Sequence, residues 1–158
     1  MIREFVAAWD KNKQNLRHYI ASNKQTAYDS YEKLVKALFR EVINPYLSEY
    51  NLDIFNAEKL HEIDDGDYQG TLIFLVPRNT YQPSPEDYVM TFHYYGSCSG
   101  CDTLLGISGY GYDEYPDKEQ IEKYMILCLH LLQHFRYAFA NEEECDADDC
   151  ETSPSIED

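Results

Sequence analysis

Residues 94–103 read Tyr-Tyr-Gly-Ser-Cys-Ser-Gly-Cys-Asp-Thr, and the expected fold is organised around this stretch. It follows an apolar, strand-like run and places two cysteines, Cys98 and Cys101, among small residues. Asp102 and Thr103 come next, and both residue types are good helix N-caps. We therefore expect a strand to deliver the thiol pair to a tight, glycine-containing turn that opens a short helix.

Two amphipathic segments precede this turn. Apolar residues recur at helical spacing over residues 2–20, with a polar interruption at 11–15, and again from about 26 to 43. Pro45 is expected to end the second helix, because proline lacks the amide hydrogen that a helix interior requires. The polar joint at 22–24 predicts that the two helices form an antiparallel pair.

Three segments between these helices and the cysteines have the composition of strands: residues 59–63, 71–76 and 87–95. Short links between successive strands favour an antiparallel meander. Alternate residues of the last two strands are expected to face the helices, namely Leu72, Phe74, Val76, Met90, Phe92 and Tyr94.

A third long helix is predicted over residues 118–140. It opens with a capping box in which Asp117 is the N-cap and Gln120 occupies the third helical position. The last 18 residues hold nine acids and no base. The predicted fold is therefore α+β, a three-stranded antiparallel meander packed against three helices, with one domain at 1–140 and an acidic, mobile tail at 141–158.

The charge balance restricts the classes of partner. The formal net charge is −16, although residues 1–40 carry eight Lys and Arg against four acids. A basic groove for direct nucleic-acid binding is not expected from such a chain. An acidic surface is suited to a basic protein, including a nucleic-acid-binding protein whose site it blocks.

Composition also bears on the cellular location. The chain has no apolar run near ~18 residues and no apolar signal region at its start, so no membrane association is expected. Its five cysteines are an odd number, which argues against a fully paired disulfide framework. We expect a cytoplasmic protein with reduced thiols.

The spacing Cys98-x2-Cys101 supplies half of a tetrahedral zinc site, since a two-residue loop lets both thiolates reach one ion. Two second pairs are available in the sequence. His130 and His134 share a helix face, but at about 100° per residue that face lies opposite the predicted buried stripe. The alternative pair, Cys145 and Cys150, lies among acids. The cofactor expectation is therefore none, or one structural zinc.

Two other interpretations of the cysteine pair remain open. A C-x-x-C motif at a helix N-terminus lowers the pKa of its first thiol, here Cys98, and would support thiol redox chemistry. The βαβ pattern of a thioredoxin-like fold is absent, and Asp102 opposes a thiolate. The structural alternative is a tight turn whose thiols are buried as small apolar groups.

Fifteen tyrosines offer rigid, amphipathic contact area for a protein interface. The segment after the predicted short helix combines them with acids, and we name five of its residues as a candidate interface: Tyr110, Tyr112, Asp113, Glu114 and Tyr115.

Three stretches carry a resemblance: DGDYQGTLIF at 65–74, YQPS at 81–84 and YGSCSGCDTL at 95–104. Together they resemble small uncharacterised proteins of bacteriophages and prophages, over about residues 60–135. The resemblance implies an accessory role and brings no catalytic residues. The expected function is a phage-type protein that binds and modulates or inhibits a host protein through an acidic, tyrosine-rich surface, with homodimerisation as a further expectation. The alternative is a metal-binding or thiol-redox protein centred on Cys98 and Cys101.

Overall fold

The computed structural model describes residues 2–98 and 100–139, in which helices pack on one face of an antiparallel sheet. The helices are α1 Arg3–Ser22, α2 Tyr31–Leu38, α3 Asn44–Glu49, α4 Thr103–Ser108 and α5 Lys118–Gln133. The strands are β1 His61–Asp64, β2 Gly70–Pro77, β3 Tyr88–Tyr95 and β4 Arg136–Tyr137. The α+β class is confirmed, whereas the expected tail at 141–158 lies outside the described residues.

The sheet has four strands in the order β1-β2-β3-β4, and every neighbouring pair is antiparallel. The first three strands form the predicted meander. The prediction of only three strands was wrong, because α5 ends at Gln133 and the chain then forms β4 against β3. Phe135 fixes this change of direction: it is fully buried, with its ring centroid 5.3 Å from those of both Phe5 and Phe39.

The polar interruption predicted in the first helix is not a break. Helix α1 is continuous, and the side-chain amides of Asn12 and Asn15 donate to the carbonyls of Val42 and Glu41, at 3.0 and 3.5 Å. These amides therefore join α1 to the segment that follows α2.

Pro45 does not end the second helix either. A π-helical turn, Phe39–Ile43, precedes it, and the helix continues as α3 to Glu49. Pro45 has no N–H to donate to the carbonyl of Glu41, and the Asn15 amide donates to that carbonyl instead. Because Lys11 contacts Glu49 while Asn15 contacts Glu41, α1 runs antiparallel to this long helical segment, as expected.

The inner face of the sheet contributes to the core. Leu72, Phe74 and Val76 are buried as predicted, but the prediction for β3 was wrong: Val89 and Thr91 face the helices, and Met90 faces outward. The register pairs Val76 with Val89 and Phe74 with Thr91, and paired residues share a face. By the same alternation Phe92 and Tyr94 face outward, where they pair with Ile73 and Thr71.

Thr91 is accommodated in the core because its hydroxyl donates to the carbonyl of Leu131, at 2.6 Å. Since β3 is apolar or aromatic on both sides, alternation alone could not orient it.

Within the described part of the chain, no helix combines the length and apolarity needed to cross a lipid bilayer.

Candidate functional site

The cysteine turn, residues 96–98 and 100–102, connects β3 to α4 as predicted. The backbone amides of Cys101 and Asp102 both donate to the carbonyl of Cys98, at 3.0 and 2.8 Å. A Cβ atom on Gly96 would lie 2.4 Å from the carbonyl oxygen of Cys101. Only glycine therefore permits this close approach of the two ends of the turn.

Asp102 holds the turn in place through its carboxylate. The residue as a whole is only 7% exposed. Its Oδ1 accepts from the Tyr31 hydroxyl at 2.7 Å and, as the predicted N-cap of α4, from the amide of Leu105 at 3.2 Å. Its Oδ2 accepts from the amide of Gly96 at 3.0 Å. The carboxylate thus ties the turn to both α2 and α4.

The two thiols are exposed, and their environments differ. The amide of Cys98 donates to Sγ of Cys101 at 3.0 Å. The pKa of Cys101 is lowered, first by the hydrogen bond from the Cys98 side chain and then by the backbone amides of Cys98 and Ser97. The C-x-x-C pattern predicts Cys98 as the activated thiol, but in the structure these donors converge on Cys101, which immediately precedes the N-cap of α4.

The structure does not assemble a zinc site from residues 2–98 and 100–139. No group of three or more His, Cys, Asp or Glu side chains in these residues could hold a metal ion. His130 lines an open groove between α4 and α5, and the ring of His134 stacks on Phe92 at 4.5 Å. These two histidines therefore do not complete a site with the cysteine pair. The other candidate pair, Cys145 and Cys150, lies outside the described residues.

A half-buried imidazole, that of His93, lies beside the cysteine turn, and its orientation towards the helices was not predicted. His93 faces the helices, its ring centroid is 4.5 Å from that of Tyr31, and its buried Nε2 has no hydrogen-bond partner. Burial lowers the pKa of His93, His134 and His130 lower it further, and Asp102 opposes them. The register of β3 turns His93 towards the helices, and composition alone does not determine that register.

The tyrosine loop, residues 109–115, contains all five predicted interface residues. The buried side chain of Gln25 anchors it, since Nε2 donates to the carbonyls of Gly111 and Glu114 at 3.0 and 3.3 Å. Its Oε1 accepts from the Tyr124 hydroxyl at 2.6 Å. This amide therefore holds the backbone of the loop at two carbonyls, although Gln25 is distant in sequence and carries no motif.

The loop presents aromatic and acidic side chains to solvent. Tyr110 is 64% exposed and Tyr115 59% exposed, and Asp113 and Glu114 are exposed as well. Tyr112 is half-buried, and its carbonyl accepts from the amide of Thr26 at 2.8 Å. Four of the five predicted interface residues are therefore exposed, and Tyr112 is the half-buried one.

Tyr110 has an unusual backbone conformation, with φ of +66°, directly after Gly109 with φ of +58°. Glycine adopts this left-handed region freely, whereas a bulky residue there costs about 1–3 kcal/mol. Such strain persists when the surroundings fix it, as the Gln25 and Thr26 hydrogen bonds do here.

Comparison of the chain with protein-family models, with curated proteins and with solved structures finds no match in any of the three.

Proposed function

We propose that this chain is a non-enzymatic, phage-type binding protein that modulates or inhibits a host protein in the host cytoplasm. The observation that supports this best is Tyr110, an exposed aromatic side chain on a left-handed backbone. Strained positions cluster at ligand clamps and binding sites, and tyrosine is enriched among the residues that dominate binding energy. A fixed loop also loses little conformational entropy when it binds.

The chemistry of the loop favours a basic partner. Asp113 and Glu114 are exposed beside the tyrosines, and the whole chain has a formal net charge of −16. A field of this sign steers a basic protein towards the loop. A nucleic-acid-binding protein is one such class, because its basic groove would be blocked by the acidic surface. The resemblance of residues 95–104 to phage proteins supports a host protein as the target.

Charge reversal in the loop tests this proposal. The double variant Asp113→Lys, Glu114→Lys is compared with Glu58→Lys, Glu119→Lys, which reverses two exposed carboxylates elsewhere and changes the net charge equally. Binding to the host protein captured by the native chain is then measured for both. We expect the loop variant to bind at least ~10-fold more weakly and the matched variant to bind almost normally. Equal losses in both variants would show that only the overall charge matters, which contradicts the proposal.

A second candidate function rests on the 3.0 Å contact between the Cys98 amide and the Cys101 sulfur. In thiol–disulfide exchange, the Cys101 thiolate would attack a disulfide of a partner protein, form a mixed disulfide and release one partner thiolate. Cys98, as a thiolate, would then attack the Cys101 sulfur and release the second partner thiolate. The partner disulfide would be reduced and this pair oxidised. Cys101→Ser would abolish this reaction and leave binding through the tyrosine loop intact.

A further inference from the structure

The two sulfur atoms of the cysteine turn are held close together. The amide of Cys101 donates to the carbonyl of Cys98 at 3.0 Å, and such a bond closes a β-turn whose first and fourth Cα atoms lie within ~7 Å of each other. The Cys101 sulfur lies 3.0 Å from the amide nitrogen of Cys98 and 3.3 Å from its carbonyl oxygen. The Cys98 side chain also has the largest influence on the pKa of Cys101. The backbone of the turn therefore brings both thiols to one place.

The thiol pair is open to solvent on its outer side and supported on its inner side. Cys98 and Cys101 are both exposed, and a Cβ atom on Gly100 would meet no other atom within 4 Å. The carboxylate of Asp102 lies beneath the turn, where it accepts three hydrogen bonds from the protein. An ion from solvent therefore has direct access to the two sulfurs, whereas the neighbouring carboxylate is already engaged.

The number of ligands selects the kind of metal ion that suits this pair. Among the residues that the structure describes, no third His, Cys, Asp or Glu joins the pair in a group that could hold a metal, and Cys128 is fully buried in α5. A structural zinc ion requires four protein ligands. Thiolates are soft ligands, and soft ligands favour Cu(I). Cu(I) is a monovalent ion that two thiolates satisfy in a linear arrangement, so it needs no further ligand.

We propose that Cys98 and Cys101 bind one Cu(I) ion between their two thiolates. Binding releases both thiol protons to solvent, the ion keeps its oxidation state, and the complex of one cation with two thiolates carries a single negative charge. The Cys98 amide, 3.0 Å from the Cys101 sulfur, donates to that thiolate and stabilises it. The tyrosine loop takes no part in this site, so metal binding and the proposed host binding are independent.

Anaerobic titration with Cu(I), in competition with the chelator bicinchoninate, tests the site. The reduced full chain carries Cys145→Ser, Cys150→Ser, so that the second thiol pair of the sequence takes no part. We expect this chain to bind one ion, and the addition of Cys98→Ser or Cys101→Ser should weaken binding at least ~100-fold. A chain without the second pair that binds no ion, or one that keeps its affinity after either change in the turn, overturns the proposal.

Two glycine variants test the geometry while both thiols remain. A Cβ atom on Gly96 would lie 2.9 Å from the Cys101 sulfur and would displace it, whereas one on Gly100 has open space. We expect Gly96→Ala to weaken Cu(I) binding about tenfold and Gly100→Ala to leave it unchanged. Far-UV circular dichroism checks that both variants are folded. Equal affinities in two folded variants would show that the turn does not position the sulfurs, which also overturns the proposal.

Alkylation separates this site from thiol–disulfide exchange and from zinc binding. One equivalent of Cu(I) should protect Cys98 and Cys101 together from iodoacetamide, as measured by peptide mass spectrometry, whereas one equivalent of Zn(II) should protect neither. In exchange, Cys98→Ser would still permit the first attack by Cys101 and would trap the mixed disulfide, whereas the same variant should lose the ion. Equal protection by both metals, or protection of only one of the two thiols by Cu(I), would contradict a two-thiolate Cu(I) site.

Discussion

Asp102 accepts hydrogen bonds from three parts of the structure, through Tyr31 in α2, Gly96 in the turn and Leu105 in α4. Its role as N-cap was predictable, since an aspartate before a helix is a local signal. The bond from Tyr31 was not predictable, because it joins residues 71 apart in sequence. At the scale of single residues, the sequence therefore identifies local hydrogen bonds and misses those made by the tertiary fold.

Cys101 should be the more easily alkylated thiol of the turn at neutral pH. Its pKa is lowered chiefly by the hydrogen bond from the Cys98 side chain, and the thiolate is the reactive form. The rate of iodoacetamide labelling of Cys101 is measured against pH by peptide mass spectrometry. Half-maximal reactivity should occur below the ordinary thiol value of about 8.5, and Cys98→Ala should move it upward. A native profile identical to that of the urea-unfolded chain would contradict this.

His93 should make stability depend on pH. Because burial lowers its pKa in the folded chain, the unfolded chain binds more protons below the unfolded value of about 6.5. Stability from this group is complete above that value and is lost as pH falls through the folded pKa. We expect His93→Phe, which keeps a ring against Tyr31, to lose less stability than the native chain between about pH 7 and pH 5.

Urea unfolding midpoints at each pH provide the measurement for His93. The exposed His18, changed to Gln, is the control for the loss of an imidazole ring elsewhere on the chain. If the His93 variant retains the native slope, then titration of His93 does not account for the pH dependence.

The contact between α1 and the π-helical turn shows what patterns can predict at the scale of elements. The apolar periodicity of α1 identified a helix, but the amides at its centre were interpreted as an interruption. The carbonyls of Glu41 and Val42 accept hydrogen bonds from these amides only because the second helix continues through Pro45. That continuation depends on the wider turn at Phe39–Ile43. Helical periodicity does not report such a change in hydrogen-bond register.

Asn12→Ala should destabilise the chain by about 1 kcal/mol, because the carbonyl of Val42 loses its 3.0 Å bond from the side chain. Intrinsic helix propensity predicts the opposite sign, since alanine is the better helix former. The exposed neighbour Gln14, changed to Ala, is the control and should be close to neutral. Unfolding free energies from urea titrations decide between the two, and a stabilised Asn12 variant would refute the role of this amide.

Tyr110→Gly should stabilise the chain by roughly 0.5–1 kcal/mol, because glycine relieves the left-handed strain at this position. Under the proposed function, the same variant should also weaken binding of the host partner, since it removes an exposed aromatic side chain. Tyr115→Gly is the matched control: it removes a tyrosine from backbone of ordinary φ and should not stabilise. Thermal unfolding and binding are measured for both. A destabilised Tyr110 variant would show that the conformation carries no strain.

At the scale of the whole molecule, the α+β class and the antiparallel meander were predictable because strand composition and short links are local properties. Strand β4 was not, since Arg136–Tyr137 is too short to show alternation. The cysteine turn was predicted in shape, but its activated thiol was assigned to Cys98 rather than Cys101. The residues of the tyrosine loop were identified from composition, whereas their anchor, Gln25, lies 86 residues from Gly111 in sequence.

Photo-crosslinking from residue 110 tests the proposed function most directly. Benzoylphenylalanine replaces Tyr110 in one preparation and Tyr81, which is 92% exposed, in another, and each is irradiated in host-cell lysate. The proposal predicts that position 110 crosslinks to one host protein that position 81 does not label, and that Asp113→Lys, Glu114→Lys removes the crosslink. The same products from both positions, or no product from position 110, would contradict binding through the tyrosine loop.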